Sequence, residues 1–191
     1  MVTIAVMALI LASASPRRQE LLRNAGIPFT VHAANIPEIS LAGESPQTCA
    51  MRLAAEKARV VFQQHSHEFV LGADTIVVVD GEILGKPRDE HDAARMLRLL
   101  SDKTHEVITG VCLLGGFEDS RYERTLVSVS ALSDEGIQQY VATRESMDKA
   151  GAYAIQGVAS RWIHRIEGDY FNVVGLPVAL VYRMLGEHDV I

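Results

Sequence analysis

Two adjacent arginines at the start of a predicted helix are the first residues in the chain that could bind an anion. Arg17 and Arg18 follow a turn of small residues that contains Ser13 and Ser15. Ser15 followed by Pro16 is typical of a helix N-cap and first helical position. Free N–H groups at a helix start favour negative charge, and guanidinium groups pair with phosphate oxygens in bidentate fashion. The segment therefore indicates an anion site, although a strand, turn and helix with solvated arginines fits the same residues.

A carboxylate in an apolar strand and a lysine after a hairpin form a second candidate group. Asp74 interrupts the otherwise apolar run 70–79, so it must be paired, protonated or bound to a metal. Asp80-Gly81 predicts a hairpin turn, after which Lys86 returns a cation toward the same end of the sheet. An acid that holds a metal or activates water, beside a cation that neutralises developing charge, suits phosphoryl chemistry. The alternative for Asp74 is a structural carboxylate that bonds a neighbouring backbone group.

Lys57 and Glu38 are candidate site residues only if they lie near Asp74. Leu53, Lys57 and Val61 recur every four residues, which places Lys57 on the apolar face of a predicted helix. Such a lysine either extends to water along the apolar surface or reaches over the sheet edge toward phosphate. Glu38 precedes that helix in a loop, where it would join Asp74 at a cation or remain a solvated acid.

The segment DKAGAYAIQG, residues 148–157, offers a candidate for recognition of a base. Gly151 and Gly157 bracket a short predicted strand that ends with Gln156. A side-chain amide carries both a donor and an acceptor, so it can read a base edge through two hydrogen bonds. A purely structural role accounts for the glycines equally well. The later segment 172–180, NVVGLPVAL, is assigned to packing.

The elements that must position these residues alternate between strands and helices. Strands are predicted at 8–12, 29–33, 70–79, 105–114 and 122–132, with weaker ones at 153–155 and 162–166. Helices are predicted at 16–24, 44–65, 89–100, 133–143 and 177–185, and the most exposed loop at 115–120. Helical crossovers and hairpins together predict one mixed α/β domain over residues 1–191. No Walker-type loop and no G-x-G-x-x-G turn occurs, which excludes P-loop and Rossmann nucleotide sites.

Composition and charge narrow the class of protein further. The 191 residues carry a formal charge of −6, which argues against general binding to duplex nucleic acid but leaves room for a local basic pocket. Cys49 and Cys112 lie far apart without CxxC spacing, which fits a reducing compartment. We therefore predict a cytoplasmic protein.

The apolar run at residues 4–12 is similar to the core of a signal peptide. No lysine or arginine precedes it, and it is shorter than the ~20 residues that span a bilayer. We predict a buried strand here, and Met7 is an alternative natural start.

Six segments resemble, in this order, motifs of the Maf family of nucleoside triphosphate pyrophosphatases, over the chain from Leu9 to Leu185. They are SASPRRQELL, GADTIVV, LGKP, LSDKTHEVITG, DKAGAYAIQG and NVVGLP. The resemblance implies a mixed, twisted β-sheet flanked by helices, with two lobes around a central nucleotide cleft, similar to inosine triphosphate pyrophosphatases. It also implies cleavage between the α and β phosphates with Mg²⁺ or Mn²⁺, and a homodimer that binds neither nucleic acid nor membrane.

The resemblance also assigns roles to residues. Asp74 matches the proton acceptor of the family and, with Glu38, a metal site. The residues that match its polar pocket and phosphate turn are Glu38, Lys57, Lys86, Ser13 and Arg18. The family often has Asp-Glu where this chain has Pro37-Glu38, so one acid is missing.

Arg17, Thr75 and Gln156 match the branch of the family that acts on dTTP and UTP, whereas the branch acting on 7-methyl-GTP typically has tryptophan in place of Arg17. Two other classes of function stay open. One is a nucleotide-binding regulatory module in cell-division or stress control without turnover. The other is a nucleic-acid-binding protein built around Arg17 and Arg18.

Overall fold

The computed structural model of the protein describes residues 9–191, so Met7 and residues 4–8 of the predicted first strand lie outside the described residues. The strands are β1 (Leu9–Leu11), β2 (Thr30–Val31), β3 (Phe69–Val79), β4 (Glu82–Leu84), β5 (Thr104–Leu114), β6 (Glu118–Val129) and β7 (Ile163–Glu167). The α-helices are α1 (Pro16–Asn24), α2 (Pro46–Phe62), α3 (Glu90–Leu100), α4 (Asp134–Ala142), α5 (Tyr170–Val174) and α6 (Val178–Glu187). Short 3₁₀ helices cover Ala150–Ala152 and Val158–Trp162.

The strands form one mixed sheet, which confirms the predicted fold class. Its order is β2-β1-β3-β5-β6-β7, and β4 pairs with β3. Strand β1 runs parallel to both β2 and β3, whereas β4 is antiparallel to β3 and β7 is antiparallel to β6. Across residues 9–191, none of the helices combines the length and the apolar character that a membrane crossing requires.

The chain divides into two compact units. Within the described residues, the first contains the chain up to Asp74, Gly110–Tyr122 and Gly175–Ile191. The second contains Thr75–Thr109 and Glu123–Val174. The predicted nucleotide cleft and the assignment of residues 1–191 to a single domain stay predictions.

In the first unit, α2 packs directly against the sheet because small residues let the two backbones approach. A Cβ atom on Gly72 would lie 2.1 Å from the carbonyl oxygen of Ala54, and one on Gly110 would lie 2.3 Å from that of Ala50. Any larger residue at either glycine would push the helix away from the strands. The surrounding core is aliphatic and contains Ile10, Ala12, Ala54, Ala55, Ala58, Val61, Val70, Cys112 and Leu114. This contact brings the buried face of α2 next to the end of β3 that belongs to the first unit.

The turns and caps formed where local chemistry predicted them. Asp80 and Gly81 have φ values of 50° and 79° and connect the paired residues Val79 and Glu82, as a two-residue hairpin turn requires. The side chain of Ser15 accepts a hydrogen bond from the backbone N–H of Arg18, which makes it the N-cap of α1. Ser45, Asp89 and Ser133 cap α2, α3 and α4 in the same way.

Two local predictions were wrong. Residues 153–155 form no strand, because Gly151 and Ala152 before them have φ values of 69° and 59° that an extended chain cannot continue. The predicted exposed loop 115–120 is reduced to a tight turn. A hydrogen bond of 2.9 Å from the Gly115 N–H to the Phe117 carbonyl closes this turn. Strand β6 therefore begins at Glu118, four residues before its predicted start at Tyr122.

Candidate active site

Lys57 forms ion pairs with two carboxylates in the first unit, a buried one on Asp74 and an exposed one on Glu38. Its Nζ lies 2.6 Å from Oδ1 of Asp74 and 2.6 Å from Oε1 of Glu38. Lys57 and Asp74 are only 6% and 4% exposed, so the ammonium group does not extend to water and that alternative is wrong. A buried ammonium is tolerated when opposite charges and hydrogen bonds compensate its lost hydration, and the two acids supply both. Lys57 thus connects Glu38, in the loop before α2, with Asp74 on β3.

Asp74 is placed in surroundings that favour a proton acceptor. Burial raises the pKa of its carboxyl above the ordinary value, against the charge and hydrogen bond of Lys57 and the charge of Arg18, which lower it. The neighbouring charge of Glu38 adds to the rise. A carboxylate with a raised pKa binds a proton more strongly than a solvated one, as a general base near neutral pH must.

Arg18 ties the start of α1 to the end of β3. Its Nε donates to the carbonyl of Gly175 at 2.8 Å, and one Nη donates to Oγ of Ser13 at 3.0 Å and to the carbonyl of Ala73 at 2.9 Å. Burial lowers the pKa of Arg18, while the charges of Asp74 and Glu38 raise it. These contacts fix a positive charge beside Asp74, with Ser13 bound to it. Arg18 is only 9% exposed, so the alternative of a solvated arginine is wrong here, and its contact with phosphate stays a prediction.

The helix start predicted at Ser15 and Pro16 is present in the structure, and the anion site stays a prediction. Helix α1 begins at Pro16 directly after its cap Ser15, whose own N–H donates to Oγ of Ser13 at 3.3 Å. Arg17 is half-buried on the first turn. The backbone N–H groups of a first helical turn have no partners within the helix, so they favour an anion.

Arg52 of α2 holds the loop that carries Glu38. Its guanidinium contacts both carboxylate oxygens of Glu44 at 2.7 and 2.8 Å, the carbonyl of Ile39 at 2.9 Å and Glu56 at 3.0 Å. The hydrogen bond from Arg52 lowers the pKa of Glu44 to about 2, so this pair stays charged at neutral pH. Sequence analysis missed Arg52, and its (i, i+4) spacing to Glu56 was the one local signal available.

Three predicted residues belong to the second unit. The hydroxyl oxygens of Thr75 and Thr109 lie 2.9 Å apart. Lys86 is exposed after β4. Gln156 is exposed in a turn. The first unit holds the other predicted site residues, which are Ser13, Arg17, Arg18, Glu38, Lys57 and Asp74.

Comparison of the sequence with known proteins identifies the family of this chain. The sequence model of a family described as Maf-like protein matches residues 8–188. The chain belongs to the Maf family.

Curated relatives of this Maf protein share most of its length. A protein named dTTP/UTP pyrophosphatase from Koribacter versatilis (strain Ellin345) is 60% identical over 180 residues, which cover 94% of this chain and 93% of the relative. Proteins of the same name from Symbiobacterium thermophilum and Clostridioides difficile (strain 630) are 54% and 46% identical. These two matches cover 93% and 95% of this chain, and 92% and 95% of the respective relatives.

A solved structure was also found among the similar proteins. Its title names a nucleoside-triphosphatase / dITP/XTP pyrophosphatase from Mycobacterium abscessus, and it matches with a TM-score of 0.42 and 17% identity over 66% of this chain and 76% of that one. This similarity is too low to support a statement about the present chain.

The carboxylates of this Maf protein fit a divalent cation that is shared with a ligand. Asp74 and Glu38 each give one oxygen to Lys57, and each carboxylate has a second oxygen. Within residues 9–191, no three His, Cys, Asp or Glu side chains cluster as a metal site. Mg²⁺ is commonly bound through one or two carboxylates together with water and substrate phosphates. The donor set therefore suits an ion completed by phosphate oxygens rather than a cage made of protein.

The segment NVVGLP does more in this Maf protein than the packing assigned to it. Leu176 is fully buried, as predicted, but the carbonyl of Gly175 accepts the hydrogen bond from Arg18. Asn172 is fully buried in the second unit, and its Nδ2 donates to the carbonyl of Val107 and to Oγ1 of Thr125, each at 3.0 Å. Sequence analysis could not find the role of Gly175, because a backbone carbonyl leaves no signal in residue type.

Proposed function

We propose that this chain is a nucleoside triphosphate pyrophosphatase that hydrolyses dTTP and UTP to the nucleoside monophosphate and pyrophosphate. Membership of the Maf family and the names of the three relatives described above support the substrate and the reaction. The observation that carries the proposal is the group in which the buried Lys57 contacts the buried Asp74 and the more exposed Glu38, each at 2.6 Å. Such a group supplies a base, a fixed positive charge and two cation ligands together.

Asp74 is the proposed proton acceptor. Lys57 occupies Oδ1, so Oδ2 is the atom that takes the proton from the attacking water. The pKa of Asp74, raised by burial, makes the carboxylate a stronger base, and the Lys57 ammonium keeps it ionised and oriented. Water that loses its proton to Oδ2 attacks the α-phosphorus, and pyrophosphate leaves.

The positive charges are proposed to bind and neutralise the triphosphate. Arg18 and Lys57 hold fixed charges beside Asp74, and the dipole at the start of α1 favours negative charge. Ser13 and Lys86 are proposed as further phosphate contacts on the family resemblance. A Mg²⁺ or Mn²⁺ held by Asp74 and Glu38 would, when bound, withdraw charge from the phosphates.

Arg17, Thr75 and Gln156 are proposed to select the base. The amide of Gln156 is exposed, and its donor and acceptor complement the O4 acceptor and N3–H donor of uracil and thymine. Modified pyrimidine triphosphates that keep these two groups would fit the same contacts. We further propose a cytoplasmic homodimer that does not act on nucleic acid or at a membrane, on the family resemblance and on composition.

A nucleotide panel with Mg²⁺ or Mn²⁺ and chromatographic resolution of products tests this proposal. We expect dTTP and UTP to give equimolar nucleoside monophosphate and pyrophosphate. Release of orthophosphate would contradict the reaction. Tight binding without turnover would instead favour the alternative function, a nucleotide-binding regulatory module in cell-division or stress control.

A further inference from the structure

One pair of side chains, Tyr140 and Glu145, holds the turn that carries Gln156. Tyr140 lies in α4 and is fully buried, and Glu145 follows three residues after the end of that helix. The Tyr140 hydroxyl donates to Oε1 of Glu145 at 2.8 Å. We call these two residues the turn clamp.

The turn clamp binds the backbone on both sides of Gln156. The N–H of Ala154 donates to the Tyr140 hydroxyl oxygen at 3.1 Å, and the N–H of Val158 donates to Oε2 of Glu145 at 3.3 Å. The chain between these amides is therefore held at its entry and at its exit.

The backbone of the turn is also closed internally and pressed against the clamp. The N–H of Gly157 donates to the carbonyl of Ala154 at 3.1 Å, as a β-turn requires. A Cβ atom on Gly157 would lie 2.1 Å from Oε1 of Glu145, so only glycine allows the carboxylate to pack on the turn. Gln156 stands next to this contact with an exposed side chain.

The phenol is suited to bridge the turn and the acid. Burial and the hydrogen bond with Glu145 both raise the pKa of Tyr140, so its hydroxyl keeps the proton that it donates. The ring packs edge-to-face on Trp162 with centroids 5.3 Å apart, which restricts its rotation. The Tyr140 hydroxyl, which accepts the hydrogen bond from the Ala154 N–H and donates to Glu145, therefore belongs to a side chain that is itself fixed.

We propose that Tyr140 and Glu145 are positioning residues for base recognition, which present the Gln156 amide to the pyrimidine in one orientation. The inference rests on the proposed function, because it takes Gln156 as a contact of the base. Two simultaneous hydrogen bonds from one amide to a base edge demand a fixed direction, and a loose turn would lose that direction. The clamp residues affect selectivity for the base through the turn. They take no part in the proton transfer that is assigned to Asp74.

Tyr140→Phe and Glu145→Gln test the inference with little change in shape. Each should lower kcat/KM for dTTP about 10-fold through KM, as expected for one or two lost or weakened hydrogen bonds, with kcat nearly unchanged. The preference for dTTP over GTP should fall by a similar factor, and the pH profile of kcat should not move. Tyr182→Phe, at a tyrosine of α6 that is 58% exposed, is the matched control and should change nothing.

A double-mutant cycle with Gln156→Ala separates positioning from general support of the fold. If the clamp acts through Gln156, then Tyr140→Phe in the Gln156→Ala background should cause no further loss of dTTP preference. Additive losses, or lower thermal stability with unchanged preference, would overturn the inference. If Tyr140→Phe fails to fold, the partly exposed Glu145→Gln supplies the same cycle.

The failure of the inference and that of the proposed function give different results. Wild-type protein that turns over no nucleoside triphosphate contradicts the proposed function and this inference with it. Active wild-type protein with additive cycle effects contradicts the inference alone.

Discussion

Lys57 and Asp74 approach to 2.6 Å between Nζ and Oδ1, although they lie 17 residues apart on a helix and on a strand. The close packing of Gly72 against Ala54 brings α2 onto β3, so the two side chains are within reach of each other. Removal of the Lys57 ammonium would leave the buried Asp74 carboxylate without this counter-charge, at a cost of roughly 3–5 kcal/mol. Lys57 itself keeps a second carboxylate partner, Glu38, when Asp74 is neutralised. The same two charges therefore contribute to the stability of this unit and to the proposed proton transfer.

The pH dependence of activity should respond to Lys57. Its charge and hydrogen bond lower the pKa of Asp74, while burial and Glu38 raise it, so Lys57→Met leaves only the raising influences. The acidic limb of the kcat/KM profile reports the ionisation of the base in the free enzyme. It should move to higher pH by ~1–3 units, the size expected for a close opposite charge.

Lys57→Arg is the matched control, since it keeps a positive charge at the position. Its acidic limb should stay close to that of the wild-type protein. A limb that stays in place in Lys57→Met, in protein that is folded by circular dichroism, would show that Asp74 is not the titrating base.

The loop held by Arg52 should determine how well a cation binds. Arg52→Ala removes the contacts with Glu44 and with the carbonyl of Ile39, next to Glu38. Losses of groups that orient metal ligands typically weaken metal affinity about 10–100-fold. We expect the Mg²⁺ or Mn²⁺ concentration for half-maximal rate to rise within that range.

Arg59→Ala provides the control on the same helix, because Arg59 pairs with the partly exposed Glu118. That variant should keep the wild-type dependence on metal concentration. Equal effects of the two substitutions would mean that general loss of helix contacts, rather than the position of Glu38, explains the result.

Substitutions at Arg17, Thr75 and Gln156 should change the choice of base more than the rate on the best substrate. Loss of a hydrogen bond that reads the base leaves a ligand group unpaired, which commonly costs about 1–3 kcal/mol in kcat/KM for that ligand. Gln156→Ala should therefore reduce the ratio of kcat/KM for dTTP to that for GTP at least several-fold. Competition assays with mixed nucleotides measure this ratio directly. A uniform loss on every nucleotide would assign Gln156 to structure instead of recognition.

The sequence predicted those features of the fold that local chemistry decides. The Asp80-Gly81 turn, the Ser15 cap and the position of Lys57 on the apolar face of α2 follow from turn conformation, capping and helical period, and the structure has all three. The strand predicted at 153–155 does not form, because the positive φ values of Gly151 and Ala152 turn the chain just before it. There the N–H of Ala154 binds the hydroxyl of Tyr140 and not a neighbouring strand.

The partners of the site residues could not be predicted in the same way. The helical period placed Lys57 on the apolar face of α2. Its contacts with Glu38 and Asp74 depend on the path of a loop and on helix packing, which the period does not show. Glu145 carries no distinguishing pattern and Arg52 only its (i, i+4) spacing to Glu56, since both also contact backbone groups of other segments. The Gly175 carbonyl that holds Arg18 has no side-chain signature at all.

Asp74→Asn, assayed for pyrophosphate release from dTTP beside a thermal melt, tests the central role of this carboxylate most directly. Because burial raises the pKa of Asp74, the folded state favours the neutral carboxyl, and this stabilisation is lost as pH rises through the folded-state pKa. A neutral amide should therefore leave Tm near pH 7 unchanged or higher. The rate should fall by ~10²–10⁴, the usual contribution of a general base. Pyrophosphate release at the wild-type rate by folded Asp74→Asn would contradict the account.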